Sequence, residues 1–221
     1  MTYWNKKTWN DRWIVETVFK GKRDGFFVEA GAQHGKIGSC TYGLELDLGW
    51  TGILVEPVDY LYQKLVKNRP NSVCVNVCLA EEDKTVEFIQ YEGTVERPGA
   101  IGYSGVPEHW DTNRVVTPET TPHKRLQKSA ITLEKLLDDN GAPSIIDYLS
   151  LDIERSENAV LSVFPFDKYM FKAISIEGWY GMDGCKQLRS NGYVNVVNSF
   201  CEGEHEIYFI HESCLEMTYN V

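Results

Sequence analysis

The sequence predicts a doubly wound α/β fold: a mostly parallel sheet with helices on both faces. Three observations carry that expectation. Gly25-Phe26-Phe27-Val28-Glu29-Ala30-Gly31-Ala32-Gln33-His34-Gly35 reads as a buried strand with an acid at its carboxyl end, running into a glycine-bearing turn. Gly52-Ile53-Leu54-Val55-Glu56-Pro57 repeats the pattern, again with a terminal carboxylate. Residues 146–153 are almost uninterruptedly apolar, which implies burial on both faces and therefore a central parallel strand. Helical apolar patterns alternate with these runs.

Each element then follows in order. Trp4, Trp9 and Trp13 are spaced through a polar start, and Asn10-Asp11 ahead of Trp13, Ile14, Val15, Val18 and Phe19 predicts a capped, helical lead-in within residues 1–24. A strand over 26–28 leads into the glycine turn, and residues 42–48 form a helix broken by Gly49. The second strand precedes a helix over 60–68 with Leu61, Leu65 and Val66 inward, stopped by Pro70-Asn71. Residues 73–79 are expected as a third strand, with Cys74 and Cys78 on one face, and 86–91 as a further strand. Helices over 131–140, 157–163 and 185–190 flank the central strand and a strand over 173–176 that ends in Glu177. Residues 193–197 and 206–210 read as a closing antiparallel pair. The whole of 1–221 is expected to be one domain.

Residues 92–124 stand apart. They are rich in glycine and proline and lack periodicity, so they read as a lid or substrate loop, with a floppy insertion as the alternative. They also carry Tyr103, Ser104, His109, Trp110 and Arg114, side chains suited to holding a polar acceptor.

The formal net charge of -10 repels phosphate backbones and makes nucleic acid a poor partner. One basic cluster, His123-Lys124-Arg125 with Lys128, reads as a solvated face rather than a phosphate site. The 6 cysteines are scattered without metal spacing, as suits a reducing, cytoplasmic location. No signal-peptide core or bilayer-length apolar run is present, so no membrane partner is expected.

Neighbouring parallel strands ending in acids, the first running into a glycine turn, suit a nucleoside-bearing cofactor. The turn lets backbone approach the ligand, and the second acid accepts from ribose hydroxyls. Here the chain resembles a known family. The segment from Gly25 to Ala32, then Thr41-Tyr42, Leu48-Gly49-Trp50-Thr51-Gly52-Ile53-Leu54-Val55-Glu56-Pro57 and Tyr148-Leu149-Ser150-Leu151-Asp152-Ile153-Glu154-Arg155-Ser156-Glu157 resemble the FkbM family of S-adenosylmethionine-dependent methyltransferases. Asn10-Asp11-Arg12-Trp13 is similar to that family's lead-in helix. The resemblance implies a Rossmann-like, seven-stranded methyltransferase sheet with its last strand antiparallel. It also implies methyl transfer to a hydroxyl, often on a sugar or glycan. One departure is Arg155, which stands where the family commonly has glycine.

Carried over by motif, Glu29 and Gly31 border the methionine moiety, Gly35 supports the turn, and Glu56 binds the ribose. Ala80 and Glu81 flank the adenine, and Ser104 is a further cofactor contact. Read from residues alone, Glu29 is open between this role and a cap or ion-pair partner, and Glu56 between ribose binding and a plain strand terminus. Methyl transfer needs alignment and removal of the acceptor proton, by a base or with a metal's help. Asp152 and Glu177, ending adjacent strands, are candidate ligands for Mg2+ or another divalent cation. Asp152 is equally a candidate base, or either acid is a plain strand end; His34 and His109 are further candidate bases, while His34 also suits a structural hydrogen bond. Trp110 and Trp179 are open between stacking on a sugar ring and hydrophobic filling. Two rival readings stay in view: a nicotinamide-dependent oxidoreductase, disfavoured because Gly31-Ala32-Gln33-His34-Gly35 is not G-x-G-x-x-G, and a non-catalytic nucleoside-binding module.

Overall fold

The computed structural model describes residues 1, 3–93, 99–110, 116–178, 183–201 and 206–216. Trp179 and Arg114 lie outside the described residues. The described chain builds strands β1 (Phe26–Ala30), β2 (Thr51–Val55), β3 (Val73–Val75), β4 (Cys78–Leu79), β5 (Lys84–Tyr91), β6 (His123–Ile131), β7 (Ile145–Leu151), β8 (Met170–Glu177), β9 (Tyr193–Val196) and β10 (Glu206–His211). Its α-helices are α1 (Asn10–Arg12), α2 (Tyr42–Leu48), α3 (Asp59–Asn68), α4 (Leu133–Asp139), α5 (Glu157–Ser162) and α6 (Asp183–Ser190).

Seven strands form the main sheet in the order β3-β2-β1-β7-β8-β10-β9. All neighbours run parallel except β10, the last strand in the chain, which is antiparallel to both β8 and β9. The expected architecture and its antiparallel closing strand are therefore present. Successive residues feed opposite faces. Val28, Ile53, Leu149 and Ile174 enter one buried cluster, while Phe27, Leu54, Tyr148 and Ala173 enter the other. Both faces are thus covered, which is why these strands read as continuous apolar runs rather than alternating ones.

Register sets the acids at one edge. Ala30 pairs with both Val55 and Leu151, so Glu56 and Asp152 emerge one residue beyond their strands on either side of the β1 turn. Leu151 pairs with Ile176, which puts Asp152 level with Glu177.

Several expectations need correction. The lead-in is helical, but Asn10–Arg12 passes into a π-helix at Trp13–Val18, and no side chain caps α1. Asp11 instead accepts from the Asn5 amide at 2.7 Å, and Asn10 accepts from the Tyr208 hydroxyl at 2.8 Å. Val66 faces outward, 44% exposed, whereas Leu61 and Leu65 are buried as expected. The expected strand over 73–79 is two strands in two sheets, so Cys74 and Cys78 do not share one. The chain leaves β3 at Asn76, whose side-chain amide donates to the Glu56 carbonyl at 2.8 Å, and β4 joins a smaller sheet in the order β4-β6-β5.

Strand β6 was not expected, because its run of Lys124, Arg125 and Lys128 lacks an apolar face strong enough to announce a strand. Backbone pairing with β5 over eight consecutive residues makes it a strand, and nearby acids match its cations. Lys124 meets Glu92 at 2.8 Å, Arg125 meets Glu87 at 2.6 Å, and Lys128 pairs with Asp59. The basic cluster therefore lies along a strand, with Lys124 and Lys128 on one face and Arg125 on the other, and each of these cations is matched by an acid.

The described parts of 92–124 pack against the smaller sheet. Short 3-10 turns at Ala100–Tyr103 and Pro107–His109 flank Gly105, whose amide and carbonyl bridge Ile89. Ala100, Val106 and Val116 are buried, and the Tyr91 hydroxyl donates to the Val116 carbonyl at 3.2 Å. Among the described residues no helix is long and apolar enough to cross a membrane.

Candidate functional site

The site is built outward from the β1 turn. Gly31 has φ +87, and a β-carbon there would stand 1.9 Å from the Asp152 carbonyl oxygen. Only glycine permits both the left-handed backbone and that approach. Gly35, at φ +75, is similarly crowded by Leu65 and Arg69. Gln33 between them also has a positive φ of 49, and its amide donates to the Glu56 carboxylate at 2.8 Å.

Beneath the turn, Glu29 accepts from the Ser39 hydroxyl at 2.8 Å, the Cys40 amide at 2.8 Å and the Thr41 hydroxyl. These groups belong to the residues leading into α2, so Glu29 ties that lead-in to the end of β1. It also lines the larger cavity described below. The hub is Arg69, 1% exposed, which sequence reasoning missed. It donates to Glu45 at 2.8 Å, Ser39 at 3.1 Å and Thr41 at 2.9 Å, and stands 3.6 Å from Glu29. Its only sequence cue is a position before the proline that stops α3.

Glu56 is 3% exposed. Its two oxygens accept from the Gln33 and Val58 amides, each at 2.8 Å. Burial pushes its carboxyl up to about 7, against those two amides, which pull it down. An apolar cleft opens beside it, walled by Val58, Leu61, Val77, Phe88, Ile101 and Val106. The smaller sheet and the 100–106 segment supply the far wall. The cleft holds about 50 Å3, too narrow for a nucleobase unless a wall moves outward. Ser104 lines it, with its hydroxyl accepting from the Tyr91 amide at 3.0 Å.

The cleft meets a larger cavity of about 560 Å3, within the range of small-molecule sites. Asp152 belongs to both. Glu177, Glu206 and Lys7 also line the larger one. Burial first, and then the Glu177 charge, raises the Asp152 carboxyl well above the usual range. Carboxylate oxygens of Asp152, Glu157 and Glu177 lie within 4.8 Å of one another. Glu157 spends one oxygen on the Ile153 amide at 2.7 Å. Glu206 and Glu157 were not foreseen; the first arrives through its pairing with Glu177 across antiparallel strands.

Asp11, Glu56, Glu157 and Glu206 are all pushed up to about 7, with burial the leading cause. In the unfolded chain such groups titrate near ~4. Between roughly pH 4.5 and 7 the folded chain therefore holds more protons, and stability falls as pH rises through that window. The melting temperature of the free protein is expected to be lower at pH 8 than at pH 5.5. A thermal scan series showing the reverse would contradict these burials.

Other expected site residues lie elsewhere. His34 lines the larger cavity, but its Nδ1 accepts from the Lys36 amide at 3.2 Å. His109 lines neither cavity, and its Nε2 stands 3.5 Å from Glu81. Ala80 and Glu81 also line neither cavity, because β4 has carried the chain into the smaller sheet. The Ala80 amide donates to the Ile131 carbonyl at 3.0 Å, and Glu81 pairs with Lys84 at 2.5 Å. Val77, Cys78 and Leu79 reach the cleft in their place. Trp110 stacks on Tyr91 and donates to the Glu154 carbonyl at 3.1 Å.

Arg155 has φ 86 and follows Glu154 at φ 58. Both hold a left-handed backbone that favours glycine, which accounts for the family's glycine at the Arg155 position. Arg155→Gly is expected to stabilise the chain by about 1 kcal/mol, since a non-glycine residue there carries roughly 1–3 kcal/mol of strain. Urea unfolding that shows a loss instead would mean that the arginine side chain offsets its backbone.

A parallel sheet that presents a glycine turn, a buried carboxylate and an apolar slot at the carboxyl ends of its central strands is the architecture of a protein for nucleoside-bearing ligands. The methyltransferase FkbM domain matches residues 29–210, and the chain belongs to that family of S-adenosylmethionine-dependent methyltransferases. That membership sets the nicotinamide oxidoreductase reading aside. A comparison with curated proteins finds no match. Among solved structures, the chain is similar to a TehB-like SAM-dependent methyltransferase from Corynebacterium glutamicum. There the identity is 9% and the TM-score 0.43, with 91% of this chain and 87% of that chain covered. It is also similar to precorrin-6y C5,15-methyltransferase from Geobacter metallireducens, with 11% identity, a TM-score of 0.43, and 90% and 85% covered. Fibrillarin from Aeropyrum pernix, solved with S-adenosyl-L-methionine, shows 11% identity, a TM-score of 0.44, and 86% and 67% covered. At these identities the likeness says nothing of the acceptor.

Proposed function

We propose that this methyltransferase transfers the methyl group of S-adenosylmethionine to a hydroxyl of a sugar or glycan. One observation carries the reading: the apolar cleft beside Glu56 shares Asp152 with a larger cavity floored by acids. The donor itself supplies the electrophilic methyl and its leaving group. The protein's residues hold it and prepare the acceptor. Glu56 accepts from the ribose hydroxyls, and the glycine turn lies along the donor's amino-acid end.

Asp152 is the base in this reading, because it borders both spaces and its raised basicity suits proton removal from an alcohol. His34 is the alternative base within the larger cavity, and His109 would need movement to serve. An acidic floor accepts hydrogen bonds from a polyol, and Ile37 and Tyr103, exposed on the cavity's lining, offer apolar surface to a ring's C–H face. Asp152 and Glu177, with Glu157 near them, offer the oxygen donors that Mg2+ prefers, so these residues would hold a divalent cation that orients a diol. The net charge of -10 argues against a nucleic-acid acceptor, and six cysteines present as thiols suit a cytoplasmic location.

Transfer of label from methyl-labelled donor across monosaccharides and oligosaccharides tests the acceptor. Alkali-stable methyl ether formation supports the proposal, and label found only on amines would refute it. If a cation is required, chelator abolishes turnover and Mg2+ restores it. Full turnover in chelator ends the metal part while leaving Asp152 as base.

A further inference from the structure

Ser156 is 2% exposed and lines the apolar cleft beside Glu56. It sits at the N-cap of α5, where a serine hydroxyl ordinarily accepts from a backbone amide of the first turn. Here it makes no such bond. Its Oγ has no hydrogen-bond partner among the described residues. A hydroxyl sealed from water and left unpaired is costly, so a partner that arrives with a ligand is the simplest use for it.

Two other polar side chains of the cleft already hold backbone amides. Glu56 receives two backbone amides, and the Ser104 hydroxyl receives the Tyr91 amide. Around them the walls are Val58, Leu61, Val77, Phe88 and Val106, apolar surfaces that can pack on a flat heteroaromatic ring once a wall moves outward but cannot tell one base from another. A buried hydroxyl without a partner among such walls is a means of discrimination, because a site built to hydrogen-bond one edge atom rejects a ligand that lacks it.

We propose that Ser156 is a specificity-determining contact to the purine base of the donor, its hydroxyl hydrogen-bonding one edge atom of the ring. This rests on the adenosyl-donor reading given above. It assigns base recognition to the loop after β7 and not to Ala80 and Glu81.

Calorimetry with S-adenosylhomocysteine, its 6-oxo analogue and its 1-, 3- and 7-deaza analogues tests the assignment on the full chain. The wild type should bind S-adenosylhomocysteine and discriminate at least fivefold against one or more analogues. Ser156→Ala should bind S-adenosylhomocysteine about five- to tenfold more weakly and lose that discrimination, with no fall in melting temperature. Equal affinity of wild type and variant for S-adenosylhomocysteine, or a uniform loss across every analogue, overturns the proposal while the donor reading stands. A wild type that binds none of these ligands overturns both. Should alanine prevent folding, Ser156→Cys, similar in size and a weaker hydrogen-bonding group, must show the same levelling or the proposal fails.

Discussion

Alanine at Glu56 is expected to cut affinity for S-adenosylhomocysteine by at least about a hundredfold, since hydrogen bonds to a charged group contribute about 1.5–3 kcal/mol each and two ribose hydroxyls are in play. The structure adds a second loss. The same carboxylate holds the Gln33 and Val58 amides, so its removal frees the loop at φ 49 on one side and the start of α3 on the other. Affinity should also depend on pH. The free carboxyl titrates at about 7, and ribose hydroxyls donate to its ionised form. Binding should therefore strengthen as pH rises from 6 to 8 and release a proton near neutrality. Glu56→Gln, which keeps shape but removes the charge, should abolish that pH dependence while leaving the melting temperature less affected. Calorimetry in buffers of different ionisation heat reads both quantities. Unchanged affinity in Glu56→Ala would place the ribose elsewhere.

Arg69→Ala is expected to destabilise the chain by about 3–5 kcal/mol, the usual cost of removing one partner from a buried ion pair. The guanidinium lies between Glu45 and Glu29 and also donates to the hydroxyls of Ser39 and Thr41. Taking it away leaves two buried carboxylates without their cation and two hydroxyls to rearrange. Arg69→Lys should recover only part of the loss, because a point charge cannot serve acceptors spread around a planar fork. Urea unfolding at constant pH measures the difference. A change below about 1 kcal/mol would mean that water enters and replaces the arginine.

Much of this molecule was legible before any coordinates. The apolar runs around Val28, Ile53 and Leu149 announce strands buried on both faces, and the acids that follow announce an edge where ligands meet the sheet. Gly31 is legible too, as the residue a close turn requires. Other features gave no local signal. Strand β6 is polar and charged, so it becomes a strand only through its backbone pairing with β5 and β4. The break between Val75 and Cys78 was hidden because both halves have strand-forming side chains. The displacement of Ala80 and Glu81 from the cleft follows directly from that break.

Local order alone thus determined the doubly wound sheet, its acidic carboxyl edge and the family resemblance, since hydrophobic periodicity and turn glycines act over a few residues. Tertiary structure decided which polar groups are spent and which are left for a ligand. Glu29 is absorbed by the residues before α2, Glu81 by Lys84, and Ser156 by nothing in the described chain. Hydrogen-bond partners and burial depend on segments far apart in sequence, and no window along the chain contains them.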